Sequence, residues 1–584
     1  MRRWPGRVAR LVPATLVALS VALGPAAAQH PPSYGVSAEL VMIDLVAADG
    51  DGRFVTDLRA DEIELLEDGK PQPVAFLRLV GGTAGTVSEA GGRASEPSAK
   101  LADAAASATP TAAAEALRPA NVVVVVVDLG TLPADLLAHT RSAVVRMARS
   151  ELAPGTRLML VALDRGLEVR QPFTEDAGRF AAAVEALRPS LGDGDSALSE
   201  LIDEVENTCD GTPGAIANAL TLGRAYVENA RLGLTRAAQG TAALARYLAP
   251  LPGRKHVVLY TAGYPMQPAA IAAGVVEGIC RPPTGGAAAR SFLQEGSGEA
   301  YGSLRSGGHV DSIGMLQELL DEANRAQVSI YTVDARGLLG DAVPAGSRAP
   351  SRLVRGGQVQ RVAQANVRAP QEILYSIAEG SGGLASINTN ELARGMRAAA
   401  RDASGYYLLA YAPPPGRKEG RFYPIELKLK RSGLDARYRR GYLWLSEAKR
   451  SERALAAALR FPELYGEDGL TLDTWIEAGR LHVAAILPTR VLAFREDGAL
   501  RRNELQLSGL LRDERGRSVS DRYLFAKAIE MKLPQTRYED LRSRENVEIA
   551  AEGALPKAGR YRLAVALRHS GGRLAAASAE VVVP

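Results

Sequence analysis

Six consecutive valines at positions 122–127 run directly into Asp128. An unbroken apolar run of this length is the pattern of a strand covered on both faces rather than one. Related runs recur downstream. "RLMLVAL" and "LEVRQPF" flank a hairpin signal at Asp164-Arg165-Gly166, and "HVVLYTAG" (256–263), "VSIYTVD" (328–334) and "GLASIN" (383–388) follow. The last two are each preceded by a helical stretch. A helix over about 134–150 follows the valines, with Thr131 placed to cap it, Pro133 in its first turn and Asp135 facing its dipole. Further helical stretches run from 176 to about 250, broken near 190 and 210. Strands alternating with helices predict an α/β fold with a doubly wound, mostly parallel sheet.

The flanks read differently. Residues 35–80 predict a small β-rich module, with turns at "DGDG" and at Asp68-Gly69. "DGDGRFVTD" has Arg53 at a calcium-ligand position and Ala60 where a bidentate Glu belongs, so it reads as a hairpin turn. Residues 81–118 are Gly, Ala, Ser and Thr with few large apolar side chains, and predict a flexible linker. The α/β domain then spans 119–443, with long Gly/Pro/Ser-rich loops at 265–308 and 338–369. It closes with "GYYLLAYAPP", "FYPIELKLKR" and "ARYRRGYLWL" as an antiparallel extension, where Arg437, Arg439 and Arg440 read as a solvated strand face. A helical connector occupies 444–474, and short alternating segments over 475–584 predict a β-sandwich of roughly seven strands.

The N-terminus is basic, then apolar, then "AAA", which reads as a secretory signal peptide over 1–28 cut after Ala28. No cysteine follows the cut to carry a lipid. No later stretch has transmembrane length, so the mature chain is expected to be soluble and periplasmic or secreted. The two cysteines, Cys209 and Cys280, then predict a disulfide; a loop of about 70 residues is worth on the order of 4 kcal/mol by chain entropy. With a formal charge of +4 over 584 residues and no dense basic block, nucleic acid is not an expected partner. Motifs of serine hydrolases, zinc peptidases, P-loops and dinucleotide sites are absent, and the six histidines are scattered. No catalytic residues are assigned and a non-enzymatic protein is expected.

Four stretches carry a family resemblance: "IDLVAADGDGRFVTDLRADEIELLEDGKPQPV", "LAPLPGRKHVVLYTAGYP", "ANRAQVSIYTVDARGL", and "SGYYLLAYAPP" followed by "ARYRRGYL". In this order they resemble the von Willebrand factor A domain, and more narrowly the secreted A-related proteins abundant in acidobacteria. The resemblance covers most of 36–443 and leaves the last 140 or so residues outside any motif. It implies an adhesion site in which D-x-S-x-S, a middle-loop threonine and the aspartate of T-D-G hold Mg²⁺ or Mn²⁺, a partner's carboxylate filling the open position.

This chain departs from that set. Asp128 matches the first aspartate, but Gly130 and Leu132 stand at the serine positions and Ala262 replaces the aspartate of T-D-G. Thr235 and Thr241 are both candidates for the middle hydroxyl. The expectation is a degenerate site with no cofactor, in which Asp128 is a remnant and Asp128, Thr131, Thr261, Gly263 and Tyr264 surround one crevice bordered by Asp334. Its partner would be a protein, an envelope component among them, or a glycan. A metal-dependent adhesin using Asp128 with an unusual ligand set is the alternative, and a secreted hydrolase with its site in the C-terminal domain is another.

Overall fold

The computed structural model describes residues 40–50, 52–81, 121–150, 152, 155–190, 196–265, 268–280, 304, 312–338, 359–514, 516–519, 523–569 and 572–584. The expected signal peptide, almost all of the 81–118 linker and most of the loops 265–308 and 338–369 lie outside them. No described helix is long and apolar enough to cross a membrane.

At the centre is a six-stranded sheet. Its spatial order is Ala385–Ser386, Val328–Asp334, Lys255–Thr261, Val122–Asp128, Arg157–Leu163 and Leu167–Thr174. All neighbours are parallel except the last pair, which is the hairpin read at 164–166. The chain starts in the middle, winds to one edge, then crosses back to wind to the other. The mostly parallel sheet expected from the valine run is therefore present, and its switch point lies between Val122–Asp128 and Lys255–Thr261.

The valines show why the run is unbroken. Val122, Val124 and Val126 enter one core with Leu244, Leu319, Ile373 and Leu374. Val123, Val125 and Val127 enter the other with Leu137, Val144, Phe180 and Met396. Alternation persists, but both destinations are apolar. Each buried valine contributes roughly 1.5–3 kcal/mol relative to exposure.

The antiparallel strands expected as an extension of the α/β domain pair instead with the N-terminal strands. Gly405–Tyr411 lies between Val41–Asp49 and Phe76–Gly81, and Phe422–Leu429 pairs with Ile63–Glu67. Two four-stranded sheets result, enclosing Ile43, Leu45, Leu65, Leu409, Tyr411 and Ile425. The physical reason is that neither segment alone has a second sheet on which to bury its apolar face. Arg431 joins them by ion pairs to Asp57 at 2.8 Å and Glu62 at 2.7 Å. Arg437 is not a solvated residue here, because it pairs with buried Asp402 at 2.8 Å.

Beyond 444, the helix Glu447–Arg460 is capped by Ser446, whose side chain accepts the Lys449 N–H at 3.4 Å. Leu455, Ala458 and Leu459 on this helix share a core with Leu248 of the α/β domain and with Ala564 and Ala576 of the last domain. That domain packs two antiparallel sheets over Leu481, Val483, Leu507, Leu563 and Val565, as the alternating segments predict. One element was not expected, the exposed helix Gln535–Ser543 between two of its strands.

Candidate functional site

The crest of the sheet is where the carboxyl ends of Val122–Asp128 and Lys255–Thr261 meet. Asp128 is buried there, 3% exposed. Its Oδ2 accepts the Thr261 hydroxyl at 3.0 Å and the Tyr264 hydroxyl at very short range. The backbone N–H of Gly130 also donates to the carboxyl group. Burial pushes the Asp128 carboxyl above its ordinary range, and the donors from Tyr264, Thr261 and Thr131 pull against that shift. Burial and the adjacent carboxylate raise the Tyr264 phenol well above its usual value, so it remains a donor.

The hydroxyls form a closed network. Thr131 and Thr261 are 3.0 Å apart through their oxygens. With the Thr261 proton committed to Asp128, the single Thr131 proton has three acceptors in reach: the Thr261 oxygen, the Asp128 backbone carbonyl at 3.3 Å and the Asp128 carboxyl group. The Ala262 N–H then donates to Thr131 at 3.1 Å and the Gly263 N–H to Thr261 at 3.1 Å. Thr131 therefore ties the first loop to the fourth-strand loop; among the described residues it makes no hydrogen bond to the following helix, in contrast to the expected cap. Leu132, at a serine position of the resembled motif, is 1% exposed and belongs to the core below.

Gly263 has φ +82, and a Cβ there would lie 2.6 Å from the Pro370 Cβ. Only glycine satisfies both conditions, since L side chains rarely adopt that backbone region and Pro370 occupies the space. The loop thereby fits under the helix Val359–Ser381, which closes one side of the crevice.

Asp334 ends the neighbouring strand, where Thr261 is its register partner. It is fully buried and neutralised by its own chain. Arg336 donates to it from Nε at 2.9 Å, Nη2 at 2.9 Å and the backbone N–H at 3.1 Å, and Gln371 Nε2 reaches it at 3.3 Å. The structure thus brings Asp128, Thr131, Thr261, Gly263 and Tyr264 together, with Asp334 beside them. Arg336, Pro370 and Gln371 are not among the residues expected from the sequence. The arginine two residues after the acid in "VDARG" is the one signal that could have pointed to such a pairing.

Neither candidate for the middle hydroxyl is placed among these contacts. Thr235 donates to the Arg231 carbonyl of its own helix at 2.8 Å, and Thr241 is buried. The predicted disulfide is formed, joining Cys209 and Cys280 with their Cα atoms 5.6 Å apart.

No protein-family model matches the chain, and no curated protein does. Among solved structures, a von Willebrand factor type A protein from Catenulispora acidiphila is similar over 80% of this chain and 66% of its own, at 10% identity and TM-score 0.19. The von Willebrand factor domain of the type V pilus tip protein Mfa5 from Porphyromonas gingivalis matches over 49% of this chain and 94% of its own, at 13% identity and TM-score 0.20. BatB from Bacteroides thetaiotaomicron matches over 48% and 98%, at 15% identity and TM-score 0.21. Scores this low carry no inference, and the α/β assignment rests on the strand order itself.

Proposed function

We propose that this chain is an extracytoplasmic, non-catalytic binding protein of von Willebrand factor A-related architecture. It recognises a protein, or a glycan, through the loops at the crest of its central sheet. The observation that carries the reading is the state of Asp128. Its accepting oxygen faces two hydroxyl protons, from Thr261 and Tyr264, and the positions that would complete a cation's shell are Gly130, Leu132 and Ala262. A divalent cation of the Mg²⁺ class requires about six oxygen ligands, and the residues present do not fit it. Recognition here falls to loop backbone, hydroxyls and apolar side chains. Leu338, 60% exposed and just beyond Asp334, offers such contact.

Two experiments test this. Melting curves of the purified protein with millimolar Mg²⁺ or Mn²⁺, and with chelator, are expected to coincide; a metal-dependent rise would favour the alternative of a metal-dependent adhesin. Cross-linking of tagged protein in its native envelope should capture a partner with the wild type and lose it with Leu338→Asp. Retention of the same partner by that variant would rule out the crest as the recognition surface.

A further inference from the structure

At the opposite end of the central sheet from the crest lies a cavity of about 160 Å³, walled by both the α/β domain and the N-terminal sandwich. Asp44 comes from the strand Val41–Asp49 and Tyr406 from Gly405–Tyr411; Asn121 immediately precedes the valine strand. Arg254 and His256 stand at the start of Lys255–Thr261, and Asp402 is near the end of the helix Ala393–Ser404.

Two of the lining groups are already matched. Asp402 accepts the Tyr331 hydroxyl at 2.6 Å and Arg437 at 2.8 and 3.1 Å. His256 Nδ1 lies 3.3 Å from the Tyr331 oxygen. Tyr331 gives its proton to Asp402, so Nδ1–H is the donor in that contact and Nε2 is left as an acceptor. Burial keeps this imidazole neutral.

Two others are not matched. Arg254 donates to the Ser329 hydroxyl at 2.7 Å and to the Gly382 carbonyl at 2.5 Å, both neutral acceptors, and its Nη1 is buried without a partner; the one carboxylate it acts on is Asp402, through space, and that group already carries the Arg437 ion pair. Asp44 forms no ion pair with Arg254 or with any other described residue, acting only through space on Lys255. One cavity therefore presents a guanidinium and a carboxylate that do not neutralise each other. A ligand with both charges answers both, its carboxylate meeting the guanidinium and its ammonium meeting Asp44 and the imidazole lone pair. The volume is below the roughly 300 Å³ of ordinary small-molecule pockets, which suits a very small ligand.

We propose that this basal cavity is a binding site for a small free α-amino acid, distinct from the crest. The test uses calorimetric titration and thermal melting of the full-chain protein with glycine, L-alanine and L-serine, beside acetate and methylammonium. Saturable binding of at least one amino acid is expected, with neither single-charge probe matching it. Arg254→Gln and Asp44→Asn should each weaken that binding tenfold or more. No saturable heat with any of the three amino acids would overturn the proposal. So would acetate binding as tightly as they do, which would make the cavity an anion site, or unchanged affinity in both variants. If Arg254→Gln does not fold, the Asp44→Asn variant and the wild-type ligand series still decide.

Discussion

Asp128 is held by donors from its own chain, which makes Tyr264 the residue to change. Tyr264→Phe removes one hydrogen bond to a buried carboxyl group and leaves the ring in place. Bonds to charged groups are worth about 1.5–3 kcal/mol, so urea unfolding should show a loss of that size with an unchanged m-value. A second residue-scale expectation concerns His256, whose ring burial holds at a pKa of about 3 against an ordinary value of 6.5. Between those values the unfolded state binds the extra proton, so stability falls as pH drops through that window, by at most about 1.4 kcal/mol per unit. Asp128 works in the opposite sense, because its raised value lowers stability as pH rises through it. Comparing wild type with His256→Gln at pH 7, 5 and 4 isolates the histidine, and the variant should lose less stability on acidification. That Asp128, Thr261 and Tyr264 lie together was legible because they end or follow neighbouring strands at the switch point. The role of Thr131 was not, because its best hydrogen-bond partners are 130 residues away and only folding brings them near.

At the scale of elements, the sequence located the five longer strands of the central sheet, since continuous apolar runs bounded by turn residues read the same way in isolation and in the fold. Ala385–Ser386 is shorter than "GLASIN" suggested, partly because Gly383 passes against the Ile330 backbone before pairing begins: a Cβ on Gly383 would lie 2.0 Å from the Ile330 carbonyl oxygen. The helices Ser196–Thr208 and Pro268–Ile279 each end immediately before or beside a cysteine, and both pack in one satellite core with Leu220, Val276 and Leu304. Their disulfide closes a loop with a sequence separation of 71. Replacing both cysteines by serine should lower stability by up to ~4 kcal/mol, read as a fall in the urea midpoint. Dithiothreitol should reproduce that fall in the wild type and leave the double variant unmoved.

At the scale of the whole molecule, the central consequence is that the sandwich is built from two distant segments. The strand Gly405–Tyr411 is hydrogen-bonded on one side to Val41–Asp49 and on the other to Phe76–Gly81. A fragment beginning at 119 would leave that strand without either neighbour and expose Leu409 and Tyr411, both fully buried in the chain. Unpaired apolar strands of this kind template aggregation. We expect residues 119–584 expressed alone to be insoluble, and residues 40–584 to yield a soluble, cooperatively melting protein. Comparable solubility and melting of the two would show that the N-terminal strands are dispensable.

The sequence by itself determined the local character of each segment: a strand covered on both faces at the valines, amphipathic helices around it, alternating strands at both ends, and a crest missing the oxygen donors of the motif it resembles. These follow from patterns a few residues long, and hydrophobic period and side-chain chemistry do not depend on distant partners. Only the tertiary structure decided which β segments share a sandwich, that Arg437 neutralises Asp402, and that Arg254 and Asp44 face one cavity without pairing. Those are questions of which surfaces meet, and segments hundreds of residues apart are brought together by burial of shared apolar area, which no local window of sequence records.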